Sequence, residues 1–113
     1  MYQYLILPHF KKQLKQLSKK YRSLKDEIIL TLENFEKSKE QSLGNNVYKI
    51  RVKSKDINRG KNKSFRLFVH IIEVQDYVVP ITIYYKGDRK DMNIKEINNH
   101  LEAILLEARL LEN

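Results

Sequence analysis

The chain contains no cysteine, so it has neither a disulfide framework nor a thiolate to serve as nucleophile or metal ligand. Its three histidines, His9, His70 and His100, are scattered along the chain and lack the spacing of a zinc centre. No apolar run reaches the roughly 20 residues that cross a bilayer. The opening Met1-Tyr2-Gln3-Tyr4 carries neither a signal-peptide pattern nor a lipidation motif. These absences predict a cytoplasmic protein without cofactor, metal or membrane partner. No repeat, low-complexity tract or linker divides the 113 residues, which predicts one small domain over 1–113 with one modest core.

Acidic residues are scarce in one particular stretch. Overall, 22 Lys and Arg stand against 14 Asp and Glu, a formal charge of +8. From Val47 to Arg66, eight cations (Lys49, Arg51, Lys53, Lys55, Arg59, Lys61, Lys63 and Arg66) face Asp56 alone. From Ile94 to Asn113, by contrast, Lys95 and Arg109 are outnumbered by Glu96, Glu102, Glu107 and Glu112. The basic segment therefore implies an acidic partner such as nucleic acid, and the C-terminal segment is no part of that surface.

Only two prolines and three glycines punctuate the chain. Tyr2 to Leu7 is short and β-prone, and Pro8 suits the first position of a helix. Phe10, Leu14, Leu17 and Tyr21 then recur at helical steps among lysines. Ser23 is a plausible N-cap for a second helix, with Asp26 and Glu27 in its first turn and Leu24, Ile28, Leu32 and Phe35 on one face. The polar stretch from Lys37 to Asn46, ending Gly44-Asn45-Asn46, reads as a loop. From Val47 to Lys53 the period changes to two, with Tyr48, Ile50 and Val52 alternating with Lys49, Arg51 and Lys53.

A longer strand spans Phe65 to Val74, with Arg66, Phe68 and His70 opposite Phe65, Leu67, Val69 and Ile71. Gln75-Asp76 reads as a tight turn. The last strand runs from Val78 to Lys86, and Pro80 implies a bulge or an unpaired stretch within it. Asn93 with Glu96 has capping-box spacing and opens a final helix, whose stripe Ile94, Ile97, Leu101, Ile104, Leu105, Ala108 and Leu111 reads as core. The expected order is βααβββα: an α+β fold with a small antiparallel-rich four-stranded sheet, an N-terminal helical hairpin and a C-terminal helix.

Residues two apart on a strand share a face about 6.5 to 7 Å apart, so Lys49, Arg51 and Lys53 form a cationic rail. Arg66 and Lys86, expected to face solvent, join it from neighbouring strands together with Tyr84. Such a surface suits phosphate contacts plus base stacking. Alternating lysines on a strand also occur simply as a solvated face or a guarded edge; the concentration of charge here favours a binding surface. A lone histidine on a strand, such as His70, is more often structural than catalytic. Of the adjacent tyrosines, Tyr85 is the one expected in the core.

The segments Val-Tyr-Lys-Ile-Arg-Val-Lys, Ser-Phe-Arg-Leu-Phe-Val and Ile-Thr-Ile-Tyr-Tyr-Lys-Gly-Asp, in this order and spacing, resemble the RelE/ParE toxin superfamily over nearly the whole chain. Phe10-Lys11-Lys12 and the Leu-Ser-Lys-Lys-Tyr-Arg-Ser-Leu run resemble its RelE-type branch. The resemblance implies a RelE-like toxin of a type II toxin-antitoxin system, held inactive by an antitoxin peptide. It would cleave mRNA on the ribosome by attack of a ribose 2′-hydroxyl on the adjacent phosphate, without metal. It places catalytic residues at Lys49, Arg51, Arg66 and Lys86, with Tyr84 as a candidate acid and Lys49 as the candidate proton acceptor. Lys53, Lys55, Arg59, Lys61 and Lys63 would bind RNA. Met92 stands where well-known members carry a tyrosine, and Ser64 where they carry glycine, which leaves the acid open between Tyr84, His70 and no residue at all. A ParE-type gyrase poison, a weak or inactive toxin and a non-catalytic nucleic-acid-binding module remain alternatives.

Overall fold

The structure is a computed structural model that describes residues 1–57 and 64–111. Among these residues the chain folds as β1 (Gln3–Tyr4), α1 (Pro8–Ser18), α2 (Leu24–Glu33), β2 (Gln41–Gly44), β3 (Val47–Val52), β4 (Phe65–Ile72), β5 (Tyr77–Tyr85) and α3 (Ile94–Leu111). The sheet order is β1-β5-β4-β3-β2. It is antiparallel except for the two-residue pairing of β1 with β5. The α+β class, helical hairpin and C-terminal helix follow the periodicity of the sequence, but the sheet has five strands where four were expected. No described helix is long and apolar enough to cross a membrane.

The additional strand is β2, inside the segment that reads as loop. Gln41-Ser42-Leu43-Gly44 has a single apolar residue and no alternation, so its strand character rests on backbone pairing to β3, to which side-chain pattern is blind. Its turn was visible. Gly44, Asn45 and Asn46 have φ of 87°, 54° and 60°, and positive φ at both central residues marks the two-residue turn that matches strand twist. The turn therefore closes a hairpin between β2 and β3. At the other hairpin β4 stops at Ile72, before the predicted Val74, and a 3-10 turn over Glu73–Gln75 leads to Asp76 in the left-handed region.

One sheet face carries Ile50, Val52, Phe65 and Leu67 and packs on the helical hairpin, where the ring of Tyr21 lies 5.1 Å edge-on from that of Phe65. Tyr21 and Phe35 fall just outside their helices yet are buried. Phe10, Phe65 and Phe68 are at most 1% exposed, and full burial of each contributes roughly 1.5–3 kcal/mol. The opposite face carries Val47, Lys49, Arg51, Arg66, Phe68 and His70 in register. The start of α3 lies at its Val47 end, where Ile94, Ile97 and Val47 line a common depression. The arginine end is left open.

Pro80 sits at a break in register: Phe68 pairs with Thr82 and Val69 with Pro80, so Ile81 is the extra residue of a bulge. Gln13 of α1 compensates for the interrupted ladder, donating its amide to the Ile81 carbonyl (3.3 Å) and accepting from the Thr82 hydroxyl (2.8 Å). Asn93 caps α3 through its Oδ1, which accepts the Glu96 N–H at 2.8 Å. Two expectations need correction. The Ser23 hydroxyl makes no cap; it turns to Asp56, which also accepts the Ser23 N–H. Of the α3 stripe only Ile97, Leu101 and Ile104 are buried, while Ile94, Leu105 and Leu111 are exposed.

Candidate nucleic-acid interface

Pairing of β3 with β4 sets Arg51 directly opposite Arg66, and Lys49 opposite Phe68, one row along the same face. Lys86 follows β5, its backbone N–H held by the Ser64 carbonyl at 3.0 Å. The result is a cleft of about 320 Å³ lined by Glu40, Gln41, Lys49, Arg51, Arg66 and Lys86. Four of the residues expected at the site thus meet in one concavity, although they come from two strands and the segment after a third.

Arg66 departs from expectation in one respect: it is 6% exposed rather than solvent-facing. Its place on the central strand surrounds it with neighbours, and its guanidinium donates to the Ser64 hydroxyl. Burial, and next the positive charge of Arg51, lower its pKa below the usual arginine value. An arginine nonetheless stays protonated at any working pH. Like charges set opposite one another on a sheet are destabilising, and among the described residues no carboxylate forms an ion pair with any of the four cleft cations. Glu40 at the cleft wall is no counterion. Partial burial raises the pKa of its carboxyl.

Tyr84 is cross-strand partner to Arg66, but the structure does not present its hydroxyl to the cleft. The residue is 5% exposed, and its ring stacks with Phe68 at 6.1 Å. The Arg89 guanidinium lies 5.5 Å from the ring centroid. The hydroxyl is enclosed without a hydrogen-bond partner, and burial foremost raises its pKa. Tyr84 therefore lines a neighbouring groove with Arg89, Glu96 and His100 and not the cleft itself. Tyr85, the tyrosine expected in the core, is partly buried against Tyr21 and Phe65.

His70 shares the cationic face but lies at its other end, opposite Val47 and Val79, and burial lowers its pKa. Lys53 and Lys55 are exposed just past β3. The Lys55 N–H is tied to Glu27 of α2 at 2.9 Å. Arg59, Lys61 and Lys63 lie outside the described residues. Sequence reasoning missed Glu40 and Gln41, since their place in the wall depends on β2; the Asn45-Asn46 turn was the signal that could have found them. It also missed Arg89, which covers Tyr84. Among the described residues, no group of three or more potential ligands could hold a metal ion.

No protein-family model matches the chain, and no curated protein matches it. Among solved structures it is similar to the crystal structure of the intact E. coli RelBE toxin-antitoxin complex. That likeness covers 74% of this chain and 94% of the other, with 20% identity and a TM-score of 0.49.

Proposed function

We propose that this chain is the toxin of a type II toxin-antitoxin system, an endoribonuclease that cuts mRNA held on the ribosome. One observation carries the reading: Arg51 and Arg66 oppose each other across β3 and β4, joined by Lys49 and Lys86 in a single cleft. No described carboxylate ion-pairs with them. A cluster of like charges kept together in a fold costs stability, and a phosphate relieves that cost. The sequence resemblance supplies the chemistry that such a cleft supports.

In that chemistry the ribose 2′-oxygen attacks the adjacent phosphorus, forming a 2′-O–P bond as the P–O5′ bond breaks. The departing 5′-oxygen takes a proton from water in the open cleft, so the products are a 2′,3′-cyclic phosphate and a free 5′-hydroxyl. Negative charge building on the non-bridging oxygens is offset by Arg51 and Arg66, whose planar guanidinium groups suit phosphate oxygens. Lys86 adds positive charge at the same phosphate. Lys49 takes the 2′-hydroxyl proton. Tyr84 acts indirectly, as the cross-strand partner that fixes the row holding Arg66. The ribosome supplies orientation that a shallow cleft cannot, Lys53 and Lys55 extend the RNA path, and a cognate antitoxin silences the toxin.

The test is a cell-free translation reaction on a defined message, with new 5′ ends mapped by primer extension. Cuts should appear only on translated messages, persist in chelator, and vanish with Arg66→Ala and with the exposed-site variant Arg51→Gln. Intact message with translation unaffected would overturn the reading; a gyrase supercoiling assay would then separate a gyrase poison from a non-catalytic binding module.

A further inference from the structure

Away from the cleft, α3 is fastened to α1 by a pair of histidines. Nε2 of His9 lies 2.8 Å from Nδ1 of His100, with the rings tilted 51° at a centroid distance of 5.1 Å. Both rings are partly buried. Beside them, the Glu107 carboxylate accepts the His9 backbone N–H at 3.0 Å, in the first turn of α1, where a negative charge is favoured. The groups facing the pair are therefore few. Glu107 and Glu96 come from α3, and Arg89 with Asp88 from the segment after β5; Gln13 of α1 shares the same groove and is neutral.

A nitrogen-to-nitrogen contact of this length requires one imidazole to donate and the other to accept. One proton on the pair is tolerated, because the charged ring still donates to a neutral neighbour. Two protons leave two donors facing each other and no acceptor. We propose that His9 and His100 form a proton-controlled clasp between α1 and α3, closed while the pair holds at most one charge and opened by the second proton. The second proton is disfavoured at His100, which shares its groove with Arg89. There burial, and next the charge of His9, lower the pKa below the usual histidine value, and Glu96 opposes this.

The sign follows from that direction. The docked helix binds fewer protons than the released one, so docking is complete above about pH 6.5 and is lost as the pH falls toward the depressed value. Within that window the opening equilibrium rises by up to about tenfold per pH unit. Release of α3 has a route toward Arg66, because Glu96 of α3 holds Arg89 through two hydrogen bonds at 2.7 and 2.8 Å, and Arg89 lies over Tyr84, the cross-strand partner of Arg66. The clasp is independent of the RNA-cleavage reading and is tested without any activity measurement.

The experiment is amide hydrogen exchange on the full chain at pH 7.5, 6.5 and 5.5, corrected for intrinsic exchange, with α2 as internal reference. The expected result is α3 opening several-fold to about tenfold more at pH 5.5 than at 6.5, with α2 unchanged. His9→Gln combined with His100→Asn replaces the two contacting nitrogens by amide groups that do not titrate, and should abolish the pH dependence. Wild-type α3 opening equally at pH 7.5 and 5.5, or a double variant with the same pH dependence as wild type, would overturn the clasp. If the double variant does not fold, imidazole nitrogen chemical shifts of the wild type decide. Two separated titration steps support the clasp, and both rings titrating together at the ordinary histidine value would sink it.

Discussion

Replacing Arg51 by glutamine should weaken RNA binding while leaving the fold as stable as before or more so. Arg51 is exposed and directly opposite Arg66, whose pKa its charge helps to lower. Like charges so placed cost roughly 0.2–1 kcal/mol, and glutamine keeps most of the side-chain length while removing the charge. The urea midpoint should hold or rise, by no more than about 1 kcal/mol in stability. On the binding side, each cation that meets a single-strand phosphate contributes about 0.7 to the slope of log K against log salt. Anisotropy of a short single-stranded RNA across a sodium chloride series should show that slope reduced by about 0.7. The affinity advantage of the wild type should then shrink about 2.6-fold between 50 and 200 mM salt. A loss of more than about 1 kcal/mol of stability with an unchanged salt slope would make Arg51 structural and remove the phosphate from the cleft.

Gln13→Ala leaves the bulge carbonyl of Ile81 and the Thr82 hydroxyl without their partner and should cost about 1–3 kcal/mol, read from urea unfolding; an unchanged midpoint would mean that water serves the bulge equally well. Asn93→Ala removes the α3 cap and should cost roughly 1 kcal/mol, with faster exchange confined to the first turn of α3. Asn46→Val forces a β-branched residue to a φ of 60° and should destabilise by about 1–2 kcal/mol, visible in thermal unfolding, whereas Asn46→Gly should be neutral or stabilising. Lys37→Ala breaks an exposed, solvent-screened ion pair with Glu73 and should leave the urea midpoint unchanged.

Local chemistry wrote much of this fold into the sequence. Period-two alternation over Val47–Val52 sent Arg51 and Lys49 to one face and Ile50 and Val52 to the other, because successive side chains on a strand cannot do otherwise. Asn93 and Glu96 announced the start of α3 by a spacing that only a helix N-terminus uses. Pro80 announced a bulge because it has no N–H for the ladder. The concentration of eight cations against one carboxylate between Val47 and Arg66 marked the basic segment, from which Lys49, Arg51 and Arg66 enter the cleft.

What the tertiary structure alone decided are the distances between residues far apart in the chain. β2 carries no alternation and exists because β3 offers it an edge, so Glu40 and Gln41 entered the cleft wall unannounced. Register across β3 and β4 chose Arg66 as the partner of Arg51, and crowding on the central strand buried it. Arg89 from the segment after β5 lies over the Tyr84 ring, in a groove apart from the cleft. The pairing of His9 with His100, 91 residues apart, depends on how α3 crosses α1. Helical and strand periods fix which face a side chain takes, but the packing of one element on another fixes which faces meet, and sequence spacing carries no record of that choice.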